Sequence, residues 1–201
     1  MSLQINIKCD IIMRILILIN RKGEIMPGFI IHLATANEYI RKYPKDIKNK
    51  NDFLEGSIAP DLTTKEGKKE THYGQSSAEV ELRKYLMSNS VESDYDKGYF
   101  LHLVTDYLFY NKLLEVTSKD IYNDYDILNS ILIKKYNVKI LEKIKDKVFF
   151  KDGDTKILNK ELAEKTIELS SDNLLEKIKK EILDTEYTEK WDKIRKLKRL
   201  D

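Results

Sequence analysis

Apolar residues return every three or four positions along most of this chain, the period of a helix with one buried face. In FIIHLATANEYIRKY, Phe29, Ile30, Leu33, Ala34, Asn37 and Ile40 share such a face, and Pro44 closes the run. NDFLEGSIAPDLT predicts a shorter helix, with Asp52 placed to cap its start and Pro60 to stop it. The polar TKEGKKE that follows reads as a mobile loop. Further helices are expected over about 75–87 and about 95–114. DIYNDYDILNSILIKKY gives another, with Ile121, Tyr125, Leu128, Leu132 and Ile133 on one side. LEKIKDKVFF, KELAEKTIEL, DNLLEKIKKEIL and YTEKWDKIRKLKRL are amphipathic and rich in Glu–Lys pairs at helical spacing. Few Gly and Pro interrupt these segments, no stretch alternates as a strand, and no repeat or Gly/Ser linker divides the chain. The pattern predicts an all-α protein, a single compact multi-helix bundle.

The first 25 residues differ. Their apolar run IIMRILILI is interrupted by Arg14 and falls far short of the roughly 20 residues that span a bilayer. No small-x-small cleavage site follows it, so a secretory leader fits poorly. The expectation is an N-terminal extension over 1–25, upstream of a natural start at MPGF, with the functional domain over 26–201. A cytoplasmic location fits best, with secretion left open.

Charge narrows the partners and cysteine narrows the chemistry. Lys and Arg number 36 against 34 Asp and Glu, and a net charge of +2 gives no global reason to expect nucleic acid or an anionic membrane. The local exception is the C-terminal KWDKIRKLKRL, which reads as a solvated last helix or as a patch for an anionic surface. With Cys9 the only cysteine there is no disulfide framework and no thiolate cluster, so a bound metal must be held by nitrogen and oxygen.

The candidate ligands stand out by context. His32 lies inside the apolar FIIHLA, His72 follows the polar loop in THYG, and His102 is set in GYFLHLVTDYLFY four residues before Asp106. An i,i+4 pair shares one helix face, about 5–6 Å apart at Cβ, which suits two ligands converging on one ion. A core histidine bonded to a carbonyl explains His32 alone, and a simple ion pair explains His102 with Asp106. Burial tips the balance, since Tyr99, Phe100, Leu103, Val104, Tyr107, Leu108 and Phe109 surround the pair and a buried carboxylate demands positive charge. Asp61, presented from the turn in GSIAPDLT, joins them.

The order MPGFIIHLATA, FLEGSIAPDLT, THYG, GYFLHLVTD, over roughly residues 26–110, resembles the zinc-dependent phospholipase C family, whose all-α fold is shared with single-strand nucleases. The resemblance implies a bundle of that type, with His32, Asp61, His72, His102 and Asp106 as metal ligands. The family's enzymes hold three metals and use further histidines with a His-x-x-x-Glu pair downstream, whereas no histidine follows His102 here. YNDYDILN stands in that place. Its Asp124 and Asp126 offer substitute oxygen ligands, though a helix start enriched in Asp explains them equally well. Secreted members also use a processed N-terminal amine as a ligand, which would need Pro27 at the start of this chain.

The expected function is a metal-dependent phosphoesterase. One or two ions would be held, with zinc fitting the ligand set and manganese or iron also suiting it. Asp61 is placed to double as general base. The substrate is expected to be a small phosphate ester or a phospholipid head group. The alternative is a helical metal-binding or structural module that has lost catalysis, as the missing downstream ligands suggest.

Overall fold

Gly56 and Gly98 mark the closest approach between two helices at the heart of the molecule. A Cβ added at Gly56 would lie 2.0 Å from the Tyr95 carbonyl oxygen, and one at Gly98 would lie 2.1 Å from that of Phe53. Only residues without side chains let the two backbones meet so closely. The computed structural model describes residues 28–64, 66–184 and 188–200. The expectations for the 1–25 extension and for Pro27 lie outside those residues.

The chain runs through α1 (Phe29–Lys42) and α2 (Lys50–Ile58), which continues into a 3-10 turn at Ala59–Asp61. A short α3 (Lys68–Thr71), a 3-10 turn at Ser77–Glu79 and α4 (Leu82–Ser88) lead to α5 (Asp94–Leu108), which is prolonged by a π-helical segment at Phe109–Leu113. Then come β1 (Val116–Thr117), α6 (Asp120–Lys135), a 3-10 turn at Glu142–Ile144, α7 (Lys160–Ser170), α8 (Leu175–Leu183), α9 (Thr188–Trp191) and β2 (Lys198–Arg199). The all-α expectation holds.

Every residue from Phe100 to Leu108 on α5 is buried, so this part of the helix has no solvent face and forms the axis of the bundle. Phe100, Leu101, Leu103, Val104 and Tyr107 pack with Tyr85, Leu175, Ile178, Ile182 and Trp191 on one side. Beyond its C-terminal end, Phe109 and Tyr110 join a second apolar cluster with Ile30, Ile31, Ile121, Leu128, Ala163 and Ile167. The start of α5 is fixed by a reciprocal cap: Ser93 Oγ accepts from the Asp96 amide at 3.1 Å while the Asp96 carboxylate accepts from the Ser93 amide at 3.2 Å.

Several local expectations change. Asn49, not Asp52, caps α2, because its extended backbone aims Oδ1 at the amides of Asn51 and Asp52. The segment expected to loop freely at TKEGKKE instead enters α3, and Lys68 is buried there. The helix expected over 75–87 starts late, since Gly74 packs its Cα against the Glu79 carbonyl and forces a tight turn first. LEKIKDKVFF forms only the turn at Glu142–Ile144. The basic C-terminus is not a last helix: after Trp191 the Arg195 amide donates to Asn111 Oδ1 at 2.7 Å, and β2 pairs in parallel with β1. Partners offered by the 111–117 segment outweigh helical propensity there. No described helix is long and apolar enough to cross a membrane.

Candidate metal centre

The close approach at Gly98 sets the first ligand. One turn further along α5, His102 Nδ1 comes within 2.8 Å of the Ser57 carbonyl oxygen on α2. A carbonyl only accepts, so Nδ1 carries the proton and the Nε2 lone pair faces inward. His72 is oriented by a similar relay. Thr71 Oγ1 donates to the Pro60 carbonyl at 2.9 Å, which leaves its oxygen to accept from His72 Nδ1 at 3.0 Å and turns His72 Nε2 inward. Tyr73, directly after, holds a left-handed φ of 58°, and its hydroxyl accepts from Asn89 Nδ2 at 2.8 Å, which ends α3 sharply and locks this turn.

These elements bring together all five residues singled out as ligands. His32 from α1, Asp61 from the turn after α2, His72 from the end of α3, and His102 and Asp106 from α5 are each at most 5% exposed. His72 Nε2 lies 3.3 Å from His102 Nε2, 3.4 Å from Asp61 Oδ1 and 3.2 Å from Asp106 Oδ2. His102 Nε2 lies 3.7 Å from Asp61 Oδ1 and 3.5 Å from Asp106 Oδ2. Donors bound at about 2.0–2.1 Å around a four-coordinate zinc are separated by about 3.3–3.4 Å, so these spacings fit such an ion. Two inward lone pairs 3.3 Å apart repel one another unless a proton or a cation lies between them.

The other carboxylate oxygens face a third imidazole. His32 Nε2 is 3.4 Å from Asp106 Oδ1 and 3.7 Å from Asp61 Oδ2, and its ring stacks on His102 at 3.7 Å. Both ring nitrogens of His32, Asp61 Oδ2 and both oxygens of Asp106 are buried with no hydrogen-bond partner in the protein. Buried polar atoms left in such numbers at one place are compatible with a site for an ion or another polar ligand. The His/Asp groups His32–Asp61–His102 and His72–His102–Asp106 each gather donors able to hold a metal ion.

Electrostatics divide the roles. Burial, reinforced by His102, lowers His32 to about 3, so it is a neutral donor. Burial also pushes His72 down, but the carboxylates of Asp106 and Asp61 more than offset this and raise it to about 9. Burial would raise Asp61, yet Lys68, His102 and His72 hold it well below the usual range. Asp106 is likewise lowered against its burial, by His102, His72 and His32.

The structure does not bring Asp124 and Asp126 into this set. The Asp124 carboxylate accepts from the amides of Lys156, Ile157 and Leu158 at 2.7–2.9 Å and so ties down the approach to α7. Asp126 pairs with Lys151 at 3.3 Å. Three residues to which the sequence reading gave no part in the site stand at or near it. Lys68 Nζ lies 3.1 Å from Asp61 Oδ1, buried, and only its spacing of four from His72 hinted at a shared face. Tyr110 extends the i,i+4 series of His102 and Asp106 by one more step, and Tyr125, expected only on an apolar helix face, stands between Asp124 and Asp126.

Comparison with protein-family models, with curated proteins and with solved structures found no match for this chain.

Proposed function

We propose that this protein is a metal-dependent phosphoesterase whose reaction centre is formed by His32, Asp61, His72, His102 and Asp106. One observation carries the reading: three imidazoles and two carboxylates from four separate chain segments converge, buried, with most of their inward atoms lacking a hydrogen-bond partner. One or two dications, with zinc suited to the ligand set, would supply Lewis acidity at a phosphoryl oxygen and ionise water near neutral pH.

The chain's own part is to fix ligands and balance charge. Nε2 of His72 and of His102, with Asp61 Oδ1 and Asp106 Oδ2, would hold one ion. His32 Nε2, with Asp61 Oδ2 and Asp106 Oδ1, would hold a second. With the Lys68 ammonium included, two carboxylates leave the centre positive once a single dication is bound. A positive, enclosed centre favours an anionic phosphate ester. Asp61 suits the role of ligand better than that of general base, because a carboxylate held so low takes up a proton weakly. The order of the four motifs, which resembles that of zinc-dependent phospholipases C, supports the same substrate class.

Enclosure favours a second reading, a helical module in which the ion serves folding alone, since none of the five residues is more than 5% exposed. Metal analysis of the full chain separates the two, run beside hydrolysis of bis(4-nitrophenyl) phosphate and 4-nitrophenyl phosphate. The phosphoesterase reading expects one or two zinc ions per chain and turnover that a chelator removes and zinc restores. His102→Ala and Asp106→Ala should each lose both. Tight zinc without turnover of either ester leaves the structural module, and a wild-type chain that takes up no metal refutes both readings.

A further inference from the structure

Two buried phenol groups beside the centre have no role in holding a metal. Tyr110 follows Asp106 by four residues and His102 by eight, at the point where α5 passes into its π-helical continuation. It is fully buried, and its hydroxyl has no hydrogen-bond partner in the protein. Tyr125, on α6, is 6% exposed, and its hydroxyl is equally unpartnered. Its ring is fixed from two sides. A Cβ at Gly28, the residue that caps α1, would sit 3.2 Å from Tyr125 Cγ, and the Tyr122 ring meets it edge-on at 6.5 Å.

Each tyrosine stands one helical turn from a ligand: Tyr110 follows Asp106 by four residues, and Tyr125 packs on Gly28, four residues before His32. Burial above all, with Asp106, Asp61 and neighbouring tyrosines adding to it, raises both phenols well above 10, and the adjacent Tyr110 hydroxyl pulls Tyr125 back only in part. Both therefore stay protonated at any physiological pH and can act as donors. Asp106 does not accept from either, since both its oxygens lack a partner. Phenylalanine would fill the same volume without leaving a buried donor unmet, as Phe109 does next door, so packing gives no reason for either hydroxyl.

We propose that the Tyr110 and Tyr125 hydroxyls are a substrate-positioning donor pair that binds the non-bridging oxygens of a tetrahedral oxyanion, a phosphate ester or inorganic phosphate, at the metal centre. The inference rests on the phosphoesterase reading for the ester and on the two orphan donors for the anion. A tetrahedral oxyanion supplies several acceptors at once, and two neutral donors on fixed rings bind it without adding charge beside Asp106. Because the donors do not titrate, they act equally at every pH at which the ligands can hold metal.

The test uses full-length protein loaded with zinc, compared with Tyr110→Phe, Tyr125→Phe and the double variant. The readouts are zinc stoichiometry, affinity for inorganic phosphate by calorimetry, ester hydrolysis and Tm without phosphate. The expected result is unchanged zinc content, about a tenfold loss of phosphate affinity for each single variant and about a hundredfold loss for the double. KM for the ester should rise by similar factors. The Tm of each variant should hold or rise, because an unmet buried donor is removed, whereas a hydroxyl with a purely structural bond would lower it when lost. Phosphate affinity within twofold of wild type in the double variant overturns the proposal, as does a zinc-loaded wild type that binds no phosphate. Turnover that persists unchanged in the double variant overturns the pair and leaves the enzyme standing. Phosphate binding that depends on both tyrosines without any ester hydrolysis supports the pair and overturns the phosphoesterase reading.

Discussion

His102 Nδ1 lies 2.8 Å from the carbonyl oxygen of Ser57, and this bond, between two helices that meet at a glycine contact, fixes the face the imidazole turns to the centre. Secondary contacts of this kind set the tautomer and raise the basicity of a ligand.

Gly98→Ala tests that coupling. Its new methyl would fall 2.1 Å from the Phe53 carbonyl oxygen and 2.9 Å from the Ser57 amide, so α2 and α5 must separate. The expected outcome is a loss of about 2–3 kcal/mol in stability and a fall of about 10–100-fold in zinc affinity as Ser57 withdraws from His102. Denaturant melts and zinc titration by competition with a chromophoric chelator measure the two. An unchanged zinc affinity in a folded variant would show that the Ser57 bond does not orient the ligand.

The pH dependence follows from the two perturbed histidines. His72, raised from 6.5 to about 9, contributes stability to the metal-free chain that is full below 6.5 and is lost as pH rises through 9. His32, lowered from 6.5 to about 3, contributes in the opposite sense: its share is present above 6.5 and is lost as pH falls towards 3. The metal-free Tm should therefore peak near pH 6.5. Zinc must displace the His72 proton, so zinc affinity should climb between pH 6.5 and 9 with release of about one proton, read by calorimetry in buffers of different ionisation enthalpy. A pH-independent affinity across that window would contradict the assignment of His72.

Lys68→Met should separate holding charge from holding metal. The Lys68 ammonium competes with any cation for Asp61 Oδ1, at 3.1 Å. Its removal should lower the stability of the metal-free chain by about 3 kcal/mol, because the buried Asp61 carboxylate loses its nearest counter-ion. The same change should tighten zinc by about tenfold, since the ion then meets one rival fewer for that oxygen. Chelator-treated and zinc-loaded melts compared side by side give both numbers, and weaker zinc binding in the variant would show that Lys68 supports the ion.

Asp124→Ala is the control for the aspartates outside the centre. Three backbone amides lose their acceptor, which should cost about 3 kcal/mol, or about 6–12 °C in Tm. Zinc content and affinity should not change. A stoichiometric loss of zinc would return Asp124 to the ligand set.

The residue types and spacings of the site were legible in the linear chain because they depend on local geometry. His102 and Asp106 share a face by helical period alone, and an apolar helix with a carboxylate in its middle announces a buried charge wherever it packs. The all-α class followed for the same reason, since turn-by-turn periodicity is a short-range property. Only the tertiary structure decided what lies many residues apart. It took the crossing of α2 and α5 to give His102 its Ser57 partner, and the 156–158 amides to claim Asp124, which the chain alone left equally open as a ligand. Lys68 looked solvated in a lysine-rich loop, and becomes a buried counter-ion only because Asp61 is folded against it. The basic tail has helical composition yet runs extended, because the 111–117 segment offers it side-chain and backbone partners that no local pattern reveals. Periodicity fixes which face of an element is buried, while the partner on that face is chosen by contacts across the whole chain.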